Sequence, residues 1–258
     1  MSDCLLAIDI GNTNIVLGLY NGDRLAAQWR IATDHARMPD EYAMLLLNLF
    51  ARAGQDPGSV QGIVLASVVP PLTRTFVEMG RRYFGQRPLL VDAGVRTGVR
   101  IRYDSPRDVG ADRVVNAVAT YRIYGGPACV VDFGTGTTFD AISAEGDYLG
   151  GAIAPGIHIA SEALFARTTK LPHIDIARPP RAIGTNTVQA MQSGILFGYV
   201  GLVEGIVARF RQELGPDMRV IATGGLAPLI AAETDVIEVV DQELTLKGLR
   251  MIWEMNKK

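Results

Sequence analysis

One short pattern occurs twice in this chain, and its second copy restricts the fold more than any other feature. Leu6-Ala7-Ile8-Asp9-Ile10-Gly11-Asn12-Thr13-Asn14 and Val130-Val131-Asp132-Phe133-Gly134-Thr135-Gly136-Thr137-Thr138 share an apolar run, an aspartate, an apolar residue, a glycine, and then hydroxyl or amide side chains. Each runs into a second apolar segment and a Gly-Asp turn, at Gly22-Asp23 and Gly146-Asp147. A single Asp-x-Gly is ordinary turn chemistry. Recurrence of the whole strand–turn–strand–turn–strand unit predicts two related α/β domains facing each other. The boundary is expected near residues 120–127, around Gly125-Gly126-Pro127, giving domains 1–122 and 123–258.

Apolar runs and helical periods alternate along the rest of the chain, as an α/β protein requires. Strands are expected at 5–10, 15–20 and 25–31, the last two joined at Asn21-Gly22-Asp23. A helix after Pro39 presents Tyr42, Leu45, Leu46 and Leu49. A strand at 62–66, a helix at 72–84, a short strand at 88–91 and a helix at 109–123 follow. In the last, Val114, Val115, Val118 and Tyr121 share one side. The second half restarts with strands at 129–132, 138–143 and 148–153, then a helix beginning near Pro155. Residues 186–211 read as a long apolar helix whose Gly194, Gly198, Gly201 and Gly205 permit close approach, a candidate interface. Strands at 220–222 and 236–240 and a helix from Leu244 complete the reading.

Composition narrows the function classes. Apolar residues make up 48% of the 258 and charged residues 20%, enough to bury a core. Lys plus Arg is 25 against 27 Asp plus Glu, so the formal charge of −2 gives no electrostatic reason to expect nucleic acid or an anionic membrane. No uninterrupted apolar stretch approaches the ~20 residues of a membrane span. The start, with acidic Asp3 and a short apolar run, reads as a strand and not a signal peptide. Cys4 and Cys129 sit in apolar runs as buried thiols, and His35, His158 and His173 lack ligand spacing. A reduced, cytoplasmic protein is expected.

Chemistry concentrates in three places. Asp9 to Asn14 ends a strand in a tight turn, where a carboxylate can hold Mg²⁺ through water and the following residues offer donors. Asp132 to Thr138 repeats that offer, and Thr223-Gly224-Gly225 follows a late strand. Two matched turns favour a nucleotide between two domains. Neither G-x-x-x-x-G-K-[ST] nor G-x-G-x-x-G is present, which disfavours P-loop and Rossmann sites. Gly110-Ala111-Asp112-Arg113 opens a helix. Its charges can serve the helix dipole, or supply a base for a hydroxyl and a clamp for a carboxylate. Tyr103 fits either a core or a lid over substrate, and spacing alone does not choose.

Together these residues resemble the type III pantothenate kinases of the acetate and sugar kinase/Hsc70/actin superfamily, over nearly the full length. Asp9–Asn14 and Asp132–Thr138 look like the two phosphate motifs, and Gly110-Ala111-Asp112-Arg113 makes the match specific. Ser67-Val68-Val69-Pro70, Tyr103 with Pro106, Gly150-Gly151 with Pro155-Gly156, and Thr169-Lys170-Leu171-Pro172 also match. So do Gly184 with Thr187 and Ser193-Gly194, Thr223-Gly224-Gly225, and Leu244-Thr245-Leu246-Lys247-Gly248-Leu249. The resemblance implies duplicated ribonuclease H-like (actin-like ATPase) domains, mixed sheets flanked by helices, with ATP in the interdomain cleft. It implies ATP-dependent phosphorylation of pantothenate to 4'-phosphopantothenate, the first step of coenzyme A biosynthesis, by a homodimer needing Mg²⁺ and K⁺ or NH₄⁺. By motif position, Asp9, Ile10, Gly11, Asn12, Thr13, Asn14, Ile15, Val16 and Thr135 would hold ATP. Asp9 would also serve the Mg²⁺ shell and Asp132 the monovalent cation. Asp112 would accept the proton. Tyr103, Gly110, Ala111, Asp112 and Arg113 would meet pantothenate, with Thr187 reaching it from the other subunit.

Two other readings compete. The same family contains the Bvg accessory factor, so the fold also suits a regulatory protein, although no basic stretch or DNA-binding helix pair is present. A superfamily kinase acting on a sugar or small acid is the other, since fold does not fix substrate. Arg113 with Tyr103 suits a carboxylate-bearing substrate better than a neutral sugar.

Overall fold

The apolar runs at the start of the chain form β1 (Cys4–Ile10), β2 (Asn14–Asn21) and β3 (Arg24–Ala32) in a computed structural model that describes residues 4–257. Asp3, the acidic residue in the reading of the N-terminus, lies outside the described residues. Every β1 residue except Asp9 is buried, because β1 lies between β2, antiparallel, and β4 (Val60–Ser67), parallel. A central strand covered on both faces must be apolar throughout. Edge strand β3 instead alternates exposed and half-buried residues, with Arg24, Gln28 and Arg30 outward, which discourages further strand pairing. The first sheet runs β3-β2-β1-β4-β5, with β5 only Leu89–Leu90.

Helix α1 (Pro39–Arg52) starts with proline in its first turn, and the Met38 N–H donates to Glu41 Oε2 at 2.8 Å. Tyr42, Leu46 and Phe50 enter the core, with Leu45 and Leu49 half-buried. Phe76 and Met79 of α2 (Pro70–Tyr83) join the same cluster. Helix α3 (Ala111–Tyr124) departs from the one-sided pattern expected of it. Arg113 through Thr120 are all buried, as happens when a helix is covered all round.

The second sheet repeats the first. Strands β6 (Ala128–Phe133), β7 (Gly136–Ile142), β8 (Tyr148–Pro155), β9 (Arg219–Gly224) and β10 (Val239–Val240) are ordered β10-β9-β6-β7-β8, the same order with each strand replaced by its counterpart. Pro155 closes β8, paired with Gly136, rather than opening a helix. Helix α4 (Ile157–Arg167) begins after Gly156. The strand expected at 236–240 shortens to β10, and α6 (Ala227–Ala231), too short to show a period, was not foreseen. Helix α5 (Thr187–Leu214) is capped by the Asn186 side chain, which accepts from the Gln189 N–H at 2.9 Å. Its Leu196, Val203 and Val207 enter the second core. By length and composition α5 is long and apolar enough to cross a membrane, with a mean hydropathy of 1.4 in its most apolar window, and 44% of that window is buried.

The chain divides into two compact units, each holding one mixed sheet flanked by helices. One takes the residues up to Gly98, Ser105–Ala119 and the chain from Thr245; the other takes Val99–Asp104 and Thr120–Leu244. A single cut at 122/123 therefore differs from this division at Val99–Asp104 and residues 120–122, which belong to the second unit, and at α7 (Leu244–Asn256), which from Thr245 packs in the first. The physical reason for the place of α7 is close approach. A Cβ on Gly62 of β4 would overlap the Trp253 indole, and one on Gly18 of β2 would lie 2.9 Å from Leu246 Cδ1.

Candidate active site

Asp9 stands on β1 opposite Val16 and beside Ala66 of β4. The chain then reverses. The Gly11 N–H donates to Asn14 O at 3.0 Å, the Thr33 hydroxyl donates to Gly11 O at 2.7 Å, and the Thr33 N–H donates to Thr13 O at 3.0 Å. The turn is thus tied to the end of β3, leaving Asn12, Thr13 and Asn14 exposed. Ile10 and Ile15 are fully buried, so they anchor the turn rather than offer side chains to a ligand.

Asp132 holds the equivalent place on β6, opposite Thr138 and beside Thr223 of β9. The Gly134 N–H donates to Gly136 O at 3.1 Å, and Thr135 is exposed at the tip. Gly224 has φ 91, and a Cβ there would lie 2.8 Å from Asp132 Oδ1. Only glycine suits that position. The Thr137 hydroxyl is buried and has no hydrogen-bond partner among the described residues. The donors at both turns are carboxylate, hydroxyl, amide and carbonyl oxygens, a set suited to Mg²⁺ and alkali cations. Among the described residues no group of three or more His, Cys, Asp or Glu is arranged for a metal. An ion held by one carboxylate plus substrate phosphates needs no such group.

Ala111 is the first residue of α3, and the Gly110 carbonyl accepts from the Val114 N–H at 3.2 Å. The Arg113 N–H donates to Asp112 Oδ1 at 2.8 Å. Burial raises the Asp112 carboxyl above its ordinary value, opposed by that hydrogen bond and by the Arg113 charge. A Cβ on Gly110 would lie 2.5 Å from Asp112 Oδ1, so glycine makes room for the carboxylate. Arg113 is buried at 8% exposure.

Tyr103 belongs to the second unit, 38% exposed, with its ring 6.3 Å from that of Tyr148. At that exposure it is not a core residue. Thr187 is the first residue of α5 and lines an open groove of about 640 Å³ with Leu164, Leu171, Gly184, Met191 and Ile195. Gly184 lies so close to the Gln189–Ala190 backbone that a side chain would overlap it. Cys4 and Cys129 are buried free thiols, His35 is exposed, and His173 stacks on Phe165.

Sequence reasoning passed over Asp140 and Tyr148, both fully buried, where Tyr148 donates to Asp140 Oδ1 at 2.9 Å. The signal was present. Thr138 and Asp140 put polar side chains at alternate positions of β7, on the face whose neighbour is Asp132.

The family profile described as type III pantothenate kinase matches residues 5–209. A type III pantothenate kinase of Moorella thermoacetica is 56% identical over 252 residues, covering 98% of this chain and 99% of that protein. Among solved structures, a conserved Baf family transcriptional activator from Campylobacter jejuni superposes with a TM-score of 0.64 at 20% identity, covering 97% of this chain and 98% of that one. A ROK hexokinase from Thermus thermophilus gives 0.51 at 15% identity, covering 96% and 98%. At those identities the two structures speak to the fold alone.

Proposed function

This chain belongs to the type III pantothenate kinase family and transfers phosphate from ATP to pantothenate, a step of coenzyme A biosynthesis, and from that premise we propose how its residues divide the work. Phosphoryl transfer passes through a loose transition state, so a protein contributes mainly position and charge. Asp112 accepts the proton of the pantothenate hydroxyl. The observation that carries this role is its partly withdrawn carboxylate, raised by burial and oriented by the Arg113 N–H, because a base nearer the working pH is a better proton acceptor. Arg113 pairs with the pantothenate carboxylate, and Tyr103, Gly110 and Ala111 shape the surroundings.

The ATP phosphates are assigned to the Asp9–Val16 turn and to Thr135, with the exposed Asn12, Thr13 and Asn14 as donors. Asp9 would hold the Mg²⁺ shell and Asp132 a potassium or ammonium ion, and cations bound there supply positive charge that the chain, lacking a P-loop lysine, does not. A homodimer is supported by α5, where nothing lies within 4 Å of a Cβ built on Gly194, Gly198 or Gly201. Thr187 then serves pantothenate from the second copy. With one side of α5 in its own core and the glycine side on a partner, its apolarity calls for no membrane. A cytoplasmic enzyme without nucleic acid as partner accords with the charge of −2.

The test is ADP release with and without pantothenate, in potassium and in sodium, for the wild type and Asp112→Asn. Pantothenate-stimulated turnover in potassium, small in sodium and nearly absent in the variant, is expected. Equal turnover in the two cations would remove the role of Asp132, and an active variant would remove that of Asp112.

A further inference from the structure

We propose that Asp140 and Tyr148 are positioning residues for pantothenate: Asp140 fixes Tyr148, and Tyr148 fixes the segment Val99–Asp104 that presents Tyr103. The inference rests on the assignment of Tyr103 to that substrate. All of these residues lie in the second unit.

Asp140 is fully buried in β7. Its Oδ1 accepts from the Tyr148 hydroxyl at 2.9 Å and its Oδ2 from the Thr138 hydroxyl at 3.4 Å. A buried carboxylate is costly unless hydrogen-bonded, and a sheet needing only stability is as well served by an apolar residue there. The strand register also looks arranged for this bond. Asp140 pairs with Gly151 and Ala141 with Gly150, so an unbroken ladder would set Leu149 opposite Ile142. A bulge intervenes and Tyr148 takes that place, on the same face as Asp140, while Leu149 is turned outward at 39% exposure. A one-residue bulge re-aims a side chain in this way.

Tyr148 then holds the 99–104 segment by backbone and ring. Its N–H donates to Arg100 O at 2.8 Å and its carbonyl accepts from the Arg102 N–H at 2.8 Å, with Ile101 bridging to it as a parallel strand would. Arg102 Nε donates to Asp147 Oδ2 at 2.8 Å, one residue before. The Tyr148 ring lies 6.3 Å from that of Tyr103, tilted by 53°. Gly150, at φ 125, leaves bare backbone beneath it, and a Cβ there would already sit 3.4 Å from Tyr103 Cε2. An exposed tyrosine on an otherwise irregular segment is thereby given one location, which is what a substrate-positioning side chain needs.

The experiment is steady-state kinetics on Tyr148→Phe, Tyr103→Ala and their double variant, with pantothenate and ATP varied separately. Tyr148→Phe is expected to raise the pantothenate KM roughly tenfold, with kcat and the ATP KM within about twofold. The double variant should be no worse than Tyr103→Ala alone, because Tyr148 acts through Tyr103. Asp140→Val, which removes a buried charge and serves where Tyr148→Phe folds poorly, should show the same KM rise. Asp140→Asn, keeping an acceptor oxygen, should restore most of it. A raised pantothenate KM in Tyr103→Ala with wild-type values in both Tyr148→Phe and Asp140→Val overturns the inference alone. So does an equal loss toward both substrates. An unchanged pantothenate KM in Tyr103→Ala overturns the assignment of Tyr103, and the inference with it.

Discussion

Asp112 is held in an environment that disfavours its own charge, and that has consequences for stability as well as turnover. Burial raises its carboxyl in the folded chain above the ~3.9 of an unfolded aspartate. Between the two values the folded state holds a proton that the unfolded state has released. The associated stability is present in full below the unfolded value and is lost as pH rises through the folded value. At neutral pH the ionised carboxylate is a net cost to the fold. Asp112→Asn should therefore raise the melting temperature at pH 7.5 while turnover falls roughly 10²- to 10⁴-fold, with the stability gain shrinking as pH is lowered. A melting temperature below that of the wild type would mean the charge is stabilising and the burial argument wrong. The acid limb of kcat/KM should likewise lie above the ordinary aspartate range in the wild type. Its neighbour offers a gentler change. Gly110→Ala leaves Asp112, the proposed base, in place but puts a methyl 2.5 Å from its Oδ1. A kcat loss of roughly tenfold or more, with an unchanged circular dichroism spectrum, is expected.

Elements whose one face meets a core announce themselves in sequence, and those fixed by approach of backbone to side chain do not. The runs at β1, β2 and β6 are legible because central strands must be apolar, and the repeated Asp-x-Gly locates both turns in the sequence itself. Asp9 and Asp132 duly occupy equivalent strand positions, each with a parallel strand beside it. Pro155 misled because proline suits a strand end as well as a helix start, and here Gly156 intervenes to let the Thr135 carbonyl come close. The place of α7 was hidden for a related reason. Its amphipathic period shows that it buries a face, but not that Gly62 bares β4 to Trp253. Gly62→Ala forces that indole to move and should lower unfolding free energy by about 1–3 kcal/mol in urea titration. Pantothenate kinetics should be nearly unchanged, because Gly62 stands on β4 well before the strand end that carries Ser67. The alternation of Thr138 and Asp140 marked the carboxylate, but its pairing with Tyr148 was hidden by a bulge, since a one-residue register shift leaves no mark on periodicity.

At the scale of the molecule, a duplicated sheet supplies two aspartate turns within one chain, whereas the glycine side of α5 is left open by its own chain. The two observations imply different kinds of completeness. Both turns assigned to the phosphates are encoded once per chain, so a monomer already has the groups proposed for ATP. Thr187, at the start of that same helix beside an open groove, is the residue whose assignment calls for a second copy. A twofold pair is isologous, so any residue given across the interface is also received. Mixing two separately impaired proteins decides the matter. In a mixed dimer of Asp112→Asn with Thr187→Ala, sharing across the interface leaves one site carrying both defects and the other carrying neither. With random exchange half of the dimers are mixed, so about a quarter of wild-type activity should return on mixing. If Thr187 served its own chain, every site would keep one defect and mixing would return nothing. Gly198→Leu should prevent the recovery by blocking the close approach of helices, and sedimentation would show the loss of the dimer directly. A mixture that recovers activity while sedimenting as a monomer would contradict both assignments, because no single chain in it carries an intact set.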